Sequence, residues 1–425
     1  MDVITTALTG AIADGGTDVA YTMLKSRLTG KSPRVDEAIT DLEQDPGSLS
    51  RQFAVSDALA AAGLAGDRYL RAAARNLVEE VERRRALRPA VPADQSGVVL
   101  QVFFATDRQP TGDRHPARQF GAARGGLNYG SCEVAIERTG PDDEAVLPTQ
   151  LRRQSRPDAD GHAVLLRAEV QSAQPFFPAL AEAIARSGNS ALLFVHGYRV
   201  SFEDAARRTA QIASDLRFAG VPVFYSWPSQ GRLSGYTVDE ANVEWALPRL
   251  AAFLTDLVQQ TPVRHLHLLG HGMGARALTR AVAAAAGARP DLGPRLREII
   301  LAAPDIEAQA FSRDLAPALA ATGGRITLYA SSGDEALRVA QRTHPYPRAG
   351  DSGDTLVVAP GVDTIDASAV DTSLIRVSHD APRPSALADM RQLIAGQLPP
   401  SHRAGLRAVD APTGRYWTFN QREVS

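Results

Sequence analysis

The spacing of apolar positions changes near residue 98. Before it, they recur at helical intervals. "DVAYTMLKSRL" sets Val19, Met23, Leu24 and Leu28 near one stripe, and "SRQFAVSDALAAAGL" and "DRYLRAAARNLVEEVERRRAL" follow with many good helix formers. "TGKSPR" breaks the pattern, and the charged run "VEEVERRRALR" reads as a solvated helix face. Pro, Gly and polar residues in "PAVPADQSG" (89–97) suit a linker. The pattern predicts a helical module over 1–86, a linker over 87–97 and a second domain over 98–425.

From Val98 onward, short β-branched and aromatic runs take over. "VVLQVFFA", "CEVAI" and "HAVLLRAEV" read as strands. Strand and helix then alternate. "ALLFV" (191–195) leads to a helix near Ser201, and "VPVFYS" (221–226) to one around 239–260. "HLHLL" (265–269) leads to 273–286, while "REIILA" (297–302) and "RITLYA" (325–330) each precede a short helix. A further helix starts near Ser385. Such alternation calls for a mostly parallel sheet with helices on both faces. Ser201 caps its helix with Asp204 three residues on, and Phe202, Ala205, Thr209, Ile212 and Leu216 form the buried stripe.

In such sheets ligands bind beyond the carboxyl ends of the strands. There the chain delivers "HGYRVS", "SWPSQG", "GHGMG", "APD" with Asp305, "SSGD" with Asp334, and finally "SLIRVSHD" with His379. "HLLGHGMGARAL" (265–276) has the layout G-x-S-x-G between strand and helix, with Gly272 at the serine position. Gly272, Asp334 and His379 follow the chain order of nucleophile, acid and base in an α/β-hydrolase triad. The chemistry explains the order: a serine on a sharp turn gives its proton to a histidine, whose tautomer a carboxylate fixes. The amides of Tyr198 and Met273 are the candidate oxyanion donors. Trp227 is a candidate pocket wall, Arg199 a candidate anion anchor, and His196 a substrate-side residue that shapes its turn. Asp305 ranks second to Asp334 as the acid; Ser226, Ser229, Ser331 and Ser332 lie off the turn, so none is expected to replace the nucleophile. His271 reads as structural, and Tyr416 and Trp417 as packing residues.

Residues 98–400 resemble a bacterial α/β-hydrolase family of uncharacterised function, similar to esterases and lipases. The matching stretches are "VFFATDRQ", "NYGSCEVAI", "LLFVHGYRVSFEDAARR", "VFYSWPSQG", "HLLGHGMGARAL", "LAAPDI", "LYASSGDEAL", "YPRAGD" and "DTIDAS", all in order. The resemblance implies Asp334 as acid and His379 as base. Two departures stand out: the family's H-S-M-G is here His271-Gly272-Met273-Gly274, and the asparagine after its H-G-Y is here Arg199. The N-terminal 86 residues are loosely similar to helical modules heading multidomain bacterial signalling proteins. Three readings stay open: a serine hydrolase whose nucleophile has been replaced, a natural pseudohydrolase that binds an acyl ligand or a protein, and a scaffold whose N-terminal helices recruit partners.

Composition narrows this further. A net charge of −2, with acidic residues among the arginines, gives no reason to expect nucleic acid as a partner. With a single cysteine, Cys132, no intrachain disulfide forms, and a buried inert thiol is expected. No run reaches the ~18 apolar residues of a membrane span, and Asp2 stands where a signal peptide carries positive charge, so a cytoplasmic location is expected. His265 and His267 share a strand face with no Cys or carboxylate beside them, so no metal and no cofactor are expected. The expected ligand is a small acyl or ester compound.

Overall fold

The computed structural model describes residues 2–13, 19–44, 49–87, 97–137, 163–232, 235–370 and 386–420. The chain divides into two compact units. One holds five helices: α1 (Val3–Ala13), α2 (Val19–Leu28), α3 (Pro33–Gln44), α4 (Leu49–Ala61) and α5 (Arg68–Leu87). Leu8, Leu24, Leu28, Leu42, Leu59 and Leu77 meet in its core. Asp2 caps α1, accepting hydrogen bonds from the amides of Ile4 and Thr5. The stripe on α2 differs from the sequence expectation: Tyr21 joins Leu24 and Leu28 inside, while Met23 is 52% exposed. The side chain of Val19 and the linker 88–96 lie outside the described residues.

The other unit is built on an eleven-stranded sheet: β1 (Gly97–Pro110), β2 (Phe120–Glu137), β3 (Ala163–Gln171), β4 (Ser190–Val195), β5 (Val221–Ser226), β6 (His265–His271), β7 (Leu296–Ala302), β8 (Arg325–Ala330), β9 (Val362–Asp366), β10 (Leu406–Ala411) and β11 (Gly414–Phe419). The spatial order is β10-β11-β9-β8-β7-β6-β4-β5-β1-β2-β3. From β1 to β11 neighbours run parallel, and β2, β3 and β10 add antiparallel edges. β2 starts well before the expected "CEVAI", since "GAARGGLNYG" carries too many glycines to read as a strand alone. Its pairing with β1 over most of its length supplies the missing stability.

A long helix that the sequence reading did not include, α6 (Ala173–Arg186), precedes three that follow the sequence pattern: α7 (Phe202–Asp215), α8 (Tyr236–Gln260) and α9 (Met273–Ala288). A short helix spans Glu335–Thr343 and another Ala386–Gly396. The predicted cap of α7 is a full capping box between Ser201 and Asp204. Leu192, Phe194, Leu269 and Ile300 pack on one face of the sheet with Phe202 and Ile212 of α7 and Met390 and Leu393 of the last helix. On the other face, Tyr225 meets Phe253 of α8, with ring centroids 6.2 Å apart. Trp417 packs against the first of these clusters, and Cys132 is buried within it. Burial pushes the Cys132 thiol well up, which leaves it protonated and inert. Among the described residues no helix is long and apolar enough to cross a membrane.

Candidate active site

β4 and β6 are neighbours in the sheet, although β5 lies between them in sequence. The chain leaves β4 on one side and returns across it to β6, which opens a crevice at the carboxyl ends of these two strands. Val195 pairs with Gly270 at those ends, so the turns His196-Gly197 and His271-Gly272 emerge side by side.

Three glycines make this junction fit. A Cβ at Gly274 would stand 2.2 Å from the His196 carbonyl oxygen, and one at Gly270 would stand 2.6 Å from Ala275 Cα. One at Gly197 would stand 2.8 Å from His271 Nδ1. Helix α9 therefore seats directly on β4 and β6. Gly272 is different. Its φ is 53° and its ψ −119°, yet a Cβ there would find Gly197 Cα nearest, at 3.9 Å. Space at 272 is open, and only the backbone conformation favours glycine. The loop after β7 pins the turn: the Gly272 amide donates to Ala302 O at 3.0 Å, and the Gly272 carbonyl accepts from the Asp305 amide at 3.1 Å. Gly272 gives α9 no side-chain cap. The first-turn amides of α9, Met273 among them, have no acceptor within the helix, and the positive end of its dipole faces the crevice.

Asp334 starts the helix Glu335–Thr343 and caps it by accepting from the Leu337 amide at 3.0 Å. Its other oxygen lies 3.5 Å from His271 Nε2. Burial works against its charged form, but His271 and the amides of Leu337 and Ala336 outweigh it and hold the carboxyl below its ordinary range. His379 lies outside the described residues. Asp305 is engaged elsewhere: it accepts from the Tyr236 hydroxyl at 2.7 Å and pairs with Arg348 at 3.1 Å. Burial leads the effects that raise its carboxyl above the ordinary range, against the pull of Arg348.

Two expected substrate-side residues turn out to be internal supports. His196 is fully buried, with Nδ1 2.8 Å from Gly197 O and Nε2 3.1 Å from Ser226 Oγ. Burial, helped by Arg108, pulls its imidazole well below the ordinary value, so it is neutral. Trp227 is fully buried too; it stacks on His196 and donates its indole N–H to His196 O at 2.7 Å. It props the turn from below and lines no open surface. Tyr198 is nearly buried, its ring edge-on to Tyr236 at 5.5 Å. Arg199 stands at φ 61°, and its amide donates to Asp239 Oδ2 at 3.4 Å. Ser229 Oγ donates to Asp239 at 2.6 Å, and Ser331 Oγ accepts from the Gly333 amide.

Sequence reasoning passed over Arg108, the centre of this support. It is 1% exposed and donates from Nε to Ser226 Oγ, from Nη1 to Gly121 O and Ser229 O, and from Nη2 to Val200 O. One guanidinium thus ties β1 to the loops after β4 and β5. Burial pulls it down to about 10, so it stays charged at neutral pH. The signal was present: an Asp-Arg pair at the end of an otherwise apolar run in "VFFATDRQ". Among the described residues no group of His, Cys, Asp and Glu is arranged to hold a metal ion.

Residues 177–387 match the family described as alpha/beta hydrolase of unknown function (DUF900). This is an α/β-hydrolase-fold protein. Residues 1–102 match a second family, the Het-E N-terminal domain. No curated protein matches the chain. Among solved structures, the chain is similar to a predicted CIB-like hydrolase from Thermoplasma acidophilum, at 16% identity over 41% of this chain and 73% of that one, with a TM-score of 0.26. It is also similar to brefeldin A esterase, a bacterial homologue of human hormone sensitive lipase, at 13% identity over 68% and 65% of the two chains and a TM-score of 0.27. Esterase Est22 follows at 11% identity over 49% and 46%, with a TM-score of 0.20. In this α/β-hydrolase-fold protein the turn from β6 into α9 is made by Gly272, a residue with no side chain.

Proposed function

We propose that residues 98–425 form an acyl-hydrolase domain, preceded by a helical module over 1–86 and a linker over 87–97, whose nucleophile is absent. It receives an ester, thioester or amide carbonyl at the N-terminus of α9, with the amides of Met273 and Tyr198 facing the oxyanion. It is inactive in serine-based acyl transfer, or retains its ligand, because position 272 supplies no hydroxyl. Asp334 and His379 fill the acid and base roles once a serine is present, and the protein works in the cytoplasm. One observation carries this reading: the turn at Gly272 has the positive φ of a nucleophile-bearing elbow, and the direction a side chain would take is open. Neighbouring serines are committed to other partners, which supports a missing nucleophile over a relocated one.

The test sets Gly272→Ser beside the chain as it stands, with a fluorophosphonate probe and a short-chain p-nitrophenyl ester. Labelling and turnover confined to the serine form, abolished again by His379→Ala, is the expected result. Failure of a folded serine form to label rejects the reading. The separate helical unit, with a family match of its own, favours a second reading: a pseudohydrolase serving as a ligand- or protein-binding module. On that reading the serine form stays silent, while an acyl ligand still binds.

A further inference from the structure

The corner between β4 and α7 gathers Arg199, just past the His196-Gly197-Tyr198 turn, with Arg207 and Arg208 on the second turn of the helix. Side chains on a helix tilt toward its N-terminus, so the latter two reach back toward the 198–201 loop. That loop is fixed in place. The Arg199 amide donates to Asp239 at 3.4 Å, the Val200 amide to Ser229 Oγ at 3.2 Å, and Val200 O accepts from Arg108 at 2.7 Å. The loop borders the crevice, because the Gly197 Cα two residues before Arg199 is the atom beside the open space at 272. Arg199 is held at φ 61°, a conformation that a non-glycine residue keeps only where its surroundings impose it.

Among the described residues, Arg207 and Arg208 make no hydrogen bond and no ion pair. Both are partly exposed. Arg348 and Arg403 carry unpartnered nitrogens sealed inside the protein; those of Arg207 and Arg208 are not sealed, so solvent and solutes reach them. Asp204, one turn back, is committed to the capping box, where it accepts from the Ser201 amide at 3.2 Å and the Ser201 hydroxyl at 2.7 Å. Burial, against the pull of Asp204, brings the Arg208 guanidinium down to about 10, so it is charged at neutral pH. A guanidinium offers a planar fork of donors that a carboxylate accepts in pairs. We propose that Arg207 and Arg208, with Arg199, bind a carboxylate at the edge of the crevice, and that the acyl ligand of this chain is therefore a monoester of a dicarboxylic acid. The inference rests on the acyl-site reading above: the ester carbonyl lies at the N-terminus of α9, and the free carboxylate at the other end of the acyl chain lies at the β4–α7 corner.

The experiment is calorimetric titration of the full, unaltered chain with monomethyl succinate, monomethyl adipate and the uncharged dimethyl adipate. At least one monoester is expected to bind ~10–100-fold tighter than the diester, as charge-assisted hydrogen bonds to the carboxylate require. Arg208→Met should erase that preference. Arg207→Gln, at a partly exposed position, should reduce it without disturbing the fold. Arg186→Gln, which removes an exposed cation from α6, should leave it unchanged. Equal binding of monoesters and diester, a preference that survives both Arg207→Gln and Arg208→Met, or an equal loss in Arg186→Gln overturns the proposal. The preferred monoester should also slow fluorophosphonate labelling of Gly272→Ser; binding that leaves labelling untouched places the carboxylate outside the crevice and overturns it too. If Gly272→Ser labels while no monoester is preferred, the carboxylate site falls and the acyl-site reading stands. If a folded serine form is silent and no monoester is preferred, both fall.

Discussion

Gly274 lies so close under the His196 carbonyl that a Cβ would stand 2.2 Å from its oxygen. This contact is made by backbone on both sides, so a side chain at 274 has nowhere to go unless α9 lifts off β4. Gly274→Ala is expected to cost at least the ~1–3 kcal/mol of an overpacked core. Urea unfolding checks it, and an unchanged midpoint contradicts the close seat of α9.

Gly272 should behave differently. With no clash to relieve, Gly272→Ser pays only for a non-glycine residue at φ 53°, about 1–3 kcal/mol. Thermal unfolding should show a modest drop, smaller than that of Gly274→Ala. A rise in stability would show that the turn is not strained.

Arg108→Met removes the donor shared by Val200 O, Gly121 O, Ser229 O and Ser226 Oγ. Buried carbonyls left without a donor cost about 1–3 kcal/mol each. A loss of at least about 3 kcal/mol is expected. Arg108→Lys should recover little, because an ammonium cannot span the same fork of acceptors. Denaturant midpoints of the two variants decide this.

Glu298 on β7 gives a pH signature. Burial, against the pull of Arg325 and Arg403, raises its carboxyl from 4.5 to about 7. Between those values the folded chain holds a proton that the unfolded chain has lost, so stability falls as pH rises from about 4.5 to 7 and levels off above. The full swing is about 3 kcal/mol at ~1.4 kcal/mol per pH unit. Glu298→Gln should flatten that slope and be the more stable form at pH 8, as measured by chemical unfolding across pH.

Sequence alone determined the order of strands and helices from β4 to the helix after β8, because a parallel sheet buried on both faces is written as continuous apolar runs. It also determined the capping box at Ser201 and the place of the G-x-G-x-G turn, since local hydrogen bonding and glycine spacing are local properties. What it missed were features set by distant partners. β2 is longer than its own residues suggest because β1 pairs with it. Met23 faces outward because Tyr21 fills the stripe instead.

At the site, only the tertiary structure separated the four glycines: Gly274 is required by the His196 carbonyl, Gly270 by Ala275 of α9 and Gly197 by His271, and Gly272 by its own φ alone. It turned His196 and Trp227 from candidate ligand contacts into buried supports, and it made Arg108 the tie between three segments, because burial and hydrogen-bond partners come from residues far along the chain. It also placed Asp334 beside His271. Sequence order names an acid and a histidine, but which imidazole a carboxylate reaches is settled by how the strands bring their carboxyl ends together.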